Sequence, residues 1–163
     1  MRLKAELRYD SGPAEVFAML TDPAFQERKL AATGALEQHV EVETRDDGGA
    51  VVTTRRTMPT DQVPDLVRNL VGRTLTIVQV EDWEPAAGDG RSGTVTAEVS
   101  GAPVRLTGTL RLAATGAGTV ETLEGELKAK VPIVGGRIER AAEPAITAAI
   151  EVEEREGRAW LAG

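Results

Sequence analysis

His39 is the only histidine in the chain, and imidazole is the side chain that ligates metals and moves protons near neutral pH. It stands in Glu37-Gln38-His39-Val40-Glu41-Val42-Glu43. A two-residue period there groups it with Glu37, Glu41 and Glu43 and sets Leu36, Val40 and Val42 on the opposite side. A strand presents such a row in parallel, whereas a metal site needs convergent ligands and a Ser-His-acid triad needs its histidine at a pocket mouth. The pattern therefore predicts a solvated face. No metal site or other cofactor is expected, and the absence of cysteine removes thiolate ligands and cysteine nucleophiles.

Arg55 and Arg56 are adjacent on a predicted strand, so they point to opposite faces. Parity places Val52, Thr54, Arg56 and Met58 inward. An inward guanidinium needs a partner, and Arg56 would mark the polar end of a cavity where a ligand carboxylate or phosphate could pair with it. The alternative is a rim position reaching water or an acidic neighbour such as Glu81. Tyr9 and Gln79 are the other polar groups that could join Arg56 in moving protons on a bound carbonyl compound. Gly135-Gly136 before a helix suggests an anion loop, but no Lys-Ser/Thr pair follows, so a tight turn lowering the helix onto a sheet is expected instead.

Several elements must hold these residues. Residues 2–9 alternate, with Leu3, Ala5, Leu7 and Tyr9 on one side, and predict a half-buried strand. Pro13 and Pro23 open two short helical stretches, in the second of which Phe25 and Leu30 pack while Glu27, Arg28 and Lys29 face water. Six further strands are predicted near 36–45, 50–57, 73–83, 93–99, 103–114 and 119–131, with Asp46-Asp47-Gly48-Gly49 as the clearest hairpin turn. Residues 64–71 form one or two helical turns. A long helix follows Gly135-Gly136 and runs to about Trp160, with Ile138, Ala142, Ala145, Ile146, Ala149 and Ile150 along its apolar stripe. Glu139 belongs to its opposite, polar face, and a kink is expected at Pro144. An antiparallel sheet dry on one face must be covered, and this helix is the cover. Residues 1–163 are thus expected to form one α+β domain, with few ionisable groups inside.

The 163 residues carry a net charge of −7 and only 3% aromatic side chains. A phosphate backbone would be repelled, so nucleic acid is not an expected partner. No stretch approaches the ~20 apolar residues of a membrane span, and no signal peptide is evident, so a cytoplasmic location is expected.

This order of elements resembles the helix-grip fold of the START-like (SRPBCC) superfamily. Thr54-Arg55-Arg56-Thr57-Met58-Pro59, Glu81-Asp82-Trp83 and Val131-Pro132-Ile133-Val134-Gly135-Gly136-Arg137-Ile138-Glu139 resemble an uncharacterised bacterial family within it. The resemblance implies a curved seven-stranded sheet wrapped around the last helix. The superfamily contains lipid-transfer domains, hormone-binding proteins, polyketide aromatase/cyclases and chaperone partners, and the fold does not choose among them. The leading expectation is a non-catalytic module holding an apolar or amphipathic small molecule, lipid-like or polyketide-like. The lining would be Val40, Val42, Val52, Ile77, Leu106, Leu110, Leu127, Ile138 and Ile146, with Leu66 and Leu70 as a cap and Arg56 as anchor. A cyclase-like enzyme and a cavity-free protein-interaction domain are the alternatives, and monomer and homodimer both stay open.

Overall fold

The computed structural model describes residues 1–163. Strand β1 (Arg2–Tyr9) is followed by helices α1 (Pro13–Leu20) and α2 (Pro23–Ala32), each opened by a proline. The carboxylate of Asp22 accepts a hydrogen bond from Ala24 N at 2.9 Å and caps α2, satisfying a donor that the helix itself leaves free. Strands β2 (Glu37–Thr44) and β3 (Ala50–Pro59), helix α3 (Asp65–Val71), strands β4 (Thr74–Trp83), β5 (Arg91–Val99), β6 (Val104–Ala114) and β7 (Thr119–Ala129), and helix α4 (Gly135–Leu161) complete the chain. These bounds lie within two residues of the predicted strands.

The seven strands form one antiparallel sheet in the order β1-β7-β6-β5-β4-β3-β2. β1 returns to pair with β7, so β1 and β2 are the two margins. Gly108 and Gly125 face each other across β6 and β7. A Cβ on Gly108 would run into the carbonyl of Glu124, and one on Gly125 would lie 2.7 Å from that of Thr107. This close backbone approach is available only without side chains, and it lets the sheet bend at that point.

Helix α4 packs on β1 and β7 and against α1, α2 and α3. Its 27 residues run unbroken through Pro144, which sits on the exposed side. Gly135 performs the expected job: a Cβ there would strike the carbonyl of Ala129.

The interior divides into two halves. At one end Leu7, Tyr9, Val16, Met19, Leu20, Phe25, Trp83, Val95, Leu110 and Leu112 form a sealed cluster, with Phe17, Ile150, Trp160 and Leu161 against it. At the other end the inward residues Leu75, Ile77, Gln79, Ala97, Val99, Val104 and Leu106 are only half-buried. Helix α3 has no buried residue. Arg68 ties its approach together by donating to the carbonyls of Thr60, Asp61 and Val63 at 2.9, 3.1 and 2.8 Å.

Candidate functional site: a buried ionisable cluster between sheet and helices

Where the sealed half meets the open half, strand alternation turns polar side chains inward. Glu81 follows Ile77 and Gln79 on the inner parity of β4, Glu121 precedes Leu123 on that of β7, and Tyr9 ends that of β1. Leu7 is opposite Glu121 and Tyr9 opposite Thr119, so Tyr9 and Glu121 are diagonal neighbours on one face. Lys29 of α2 and Glu153 of α4 close the cluster from above, with Lys29 Nζ 2.9 Å from Glu153 Oε2. Gly157 makes room for it: a Cβ there would lie 2.6 Å from Tyr9 Cε1 and 3.0 Å from Met19 Cε.

Glu81 accepts hydrogen bonds from Gln79 Nε2 at 2.9 Å and from the Trp83 indole N–H at 3.2 Å. Three buried polar atoms have no partner at all: the Tyr9 hydroxyl, Glu121 Oε2 and Gln26 Oε1. Such atoms are costly in an interior unless a bound molecule or water meets them.

The charges follow from burial. Desolvation, reinforced by Glu153 and Glu81, raises the Glu121 carboxyl well above its ordinary range. Burial also raises Glu81, although Lys29 and the two hydrogen bonds oppose this. Burial disfavours the Lys29 ammonium, yet Glu153 and Glu81 hold its pKa above the usual value. Tyr9 is pushed up by burial and by Glu121, so its phenol stays neutral. Lys29 lies beside Glu153 and Glu81, and Arg56 feels Glu153.

Arg56 points inward and is half-buried. Burial lowers its pKa and Glu153 partly restores it. It forms no ion pair or side-chain hydrogen bond with Glu81 or any other residue.

Among the other expected lining residues, Val52, Leu110, Leu127 and Ile138 are buried, and Val40, Val42, Leu66, Leu70, Ile77, Leu106 and Ile146 are half-buried. Ile146 and Ile150 join Leu3, Ala5 and Leu123 around a 140 Å³ hollow between α4 and the β1 margin. A second concavity, of 520 Å³, lies outside the sheet and is lined by Glu98, Arg105, Lys128 and Lys130 among others.

Four expectations need correcting. The interior is not poor in ionisable groups, since Lys29, Glu81, Glu121 and Glu139 are all buried. Lys29 does not face water, because Glu153 draws it under α4. Glu139 is not on an exposed helix face; its carboxylate accepts from Ala129 N at 3.0 Å and from Met1 N at 2.9 Å, and the first of these bonds leads in lowering its pKa. Ala145 is exposed rather than part of the buried stripe. His39 is exposed as expected, 3.1 Å from Glu41. The described residues hold no grouping of acidic or histidine side chains suited to a metal ion.

Comparison with known proteins extends these observations. The chain is 27% identical to uncharacterized protein Rv0481c of Mycobacterium tuberculosis, over 94% of its own length and 92% of that protein's. Its fold matches the di-domain ARO/CYC StfQ from the steffimycin biosynthetic pathway with a TM-score of 0.63 at 14% identity, covering 97% of this chain and 50% of that one. Human STARD10 matches with a TM-score of 0.61 at 10% identity, covering 96% and 62%. These likenesses establish the START-like helix-grip fold. A family model matching residues 4–161 places the chain in DUF2505, a family described as protein of unknown function.

Proposed function

We propose that this protein binds an amphipathic small molecule in the open half of the sheet-helix interior. Its apolar part lies along Ile77, Leu106 and Ile146, and its acidic group meets Arg56. One observation carries this reading: strands that are sealed at Trp83, Val95 and Leu112 leave Leu75, Ile77, Ala97 and Val99 half-uncovered at their other ends. Apolar surface held inward but not packed against protein is surface that a guest can cover. The half-buried state of Ala142 and Ala149 supports a groove rather than a filled, cavity-free interior. StfQ and STARD10 share the fold, which is compatible with this use and specifies no ligand.

Native mass spectrometry and titration with a dansyl-labelled fatty acid provide the test. One bound equivalent is expected, and Ala97→Trp should abolish uptake by filling the cleft. Arg56→Leu should weaken it about 10- to 100-fold, as losing a charge-assisted hydrogen bond of ~1.5–3 kcal/mol implies. A folded wild-type protein that takes up neither this probe nor any co-purified molecule would overturn the reading.

A second reading is favoured by the unpartnered Tyr9 hydroxyl and Glu121 Oε2. A phenol and a carboxyl whose charged forms burial disfavours, close to Glu81, are suited to exchanging protons with a bound carbonyl compound, which would make the site an enzyme's. Tyr9→Phe would then abolish turnover without abolishing binding.

A further inference from the structure

The connection between β7 and α4 holds a side chain where folding alone would not place it. Ile133 is fully exposed, and its backbone has φ +70°, the left-handed region that β-branched residues rarely enter. The segment is pinned rather than loose: Lys130 N donates to Pro103 O at 2.8 Å, Val134 N to Pro132 O at 2.8 Å, and Gly135 N to Val131 O at 3.0 Å. Glycine or asparagine would adopt this turn with less strain. An aliphatic side chain is therefore held out into solvent against both its hydropathy and its backbone preference, and such an outlier points toward a use.

The surroundings of Ile133 give that use a chemistry. Lys128, Lys130, Arg137 and Arg140 flank it in sequence, all exposed and none in an ion pair. A Cβ at Gly136 would lie 3.5 Å from Arg140 Nη1, so that guanidinium folds back over the first turn of α4 toward the loop. The one acidic residue of this stretch, Glu139, is turned inward onto Ala129 N and Met1 N. Lys128 and Lys130 also line the 520 Å³ hollow outside the sheet, where the nearby Glu98 is already paired with Arg105. Glu126 and Glu143 are the exposed carboxylates bordering the patch. A chain of net charge −7 thus carries four unpaired cations within seven residues of one protruding aliphatic side chain.

We propose that this tip docks on an anionic phospholipid surface, with Ile133 entering the acyl boundary and the four cations meeting lipid phosphates. Apolar insertion together with cationic contact is the combination that holds proteins at such interfaces. Charge alone would suit a soluble polyanion, but it would give no role to Ile133. The proposal does not depend on what the cleft binds.

Co-sedimentation with phosphatidylcholine vesicles, with and without phosphatidylglycerol, tests it. The protein should sediment with anionic vesicles at low ionic strength and stay in solution with neutral ones. Lys128→Gln and Lys130→Gln should each weaken partition about five-fold. Ile133→Asn should weaken it about ten-fold or more while leaving the melting temperature equal or higher, because asparagine tolerates the left-handed turn. Ala97→Trp, which fills the cleft, should bind vesicles like wild type, separating this proposal from the ligand reading. Wild-type protein that ignores anionic vesicles, or an Ile133→Asn variant that binds them unchanged, would overturn it. So would equal affinity of wild type and Ile133→Asn for polyglutamate and for vesicles, which would mark a patch reading charge alone.

Discussion

The charged form of the Glu121 carboxyl is disfavoured because burial leaves no water to share a negative charge beside Glu153. Its carboxyl is raised in the folded chain by burial first and by Glu153 and Glu81 next. The folded state therefore binds a proton that the unfolded state has already released as pH climbs past the ordinary carboxyl value. Stability from the neutral group is fully present below that value and is lost as pH rises through the folded one. Glu121→Gln keeps the shape and removes the titration. Thermal melts should show the variant more stable than wild type at pH 8, by roughly 1–3 kcal/mol as expected for relieving a poorly satisfied buried group, with the advantage shrinking toward pH 4.5. At this scale the sequence was half-legible. Parity turned Arg56 inward and would have turned Glu121 inward too, since it shares the register of Leu123 and Leu127. Lys29 was not legible, because its burial depends on Glu153, which lies 124 residues away.

The elements themselves were legible, since alternation in strands and spacing in helices are local signals. What they did not reveal is where two elements touch closely. Gly157 sits late in α4, where an alanine would ordinarily favour the helix by about 1 kcal/mol. Here the added methyl would meet the rigid Tyr9 ring at 2.6 Å. Gly157→Ala should therefore destabilise by about 1–3 kcal/mol, the usual cost of overpacking, measured by denaturant unfolding. A stabilised variant would mean that α4 can lift away from β1. Glu139 went astray for a similar reason: a helical wheel places it outward, but the N–H of Ala129 lies within reach and claims it.

On the scale of the whole molecule, one end of the interior is sealed by α1, α2 and the last turns of α4, while the other rests on α3 and half-covered strands. Local opening follows from unequal packing. Amide hydrogen exchange should be slowest where β7 pairs with β1 and β6, and faster across α3 and the facing halves of β3 and β4. A fatty-acid probe should slow the second region selectively. Uniform protection along α3 and β1 would contradict this division. Strand alternation predicted a sheet with one dry face; it did not reveal that the dry face would be finished at only one end, because that depends on how far a helix reaches across it.

The sheet is open, and β2 is one of its margins. A bare strand margin invites another copy's strand to continue the hydrogen-bond ladder into a filament. On β2 the row Glu37, Glu41 and Glu43 would meet its own negative charges in any such self-pairing, and like charges directly opposite oppose the join. The carboxylates that looked like an idle wet face in the sequence therefore act as a guard against polymerisation.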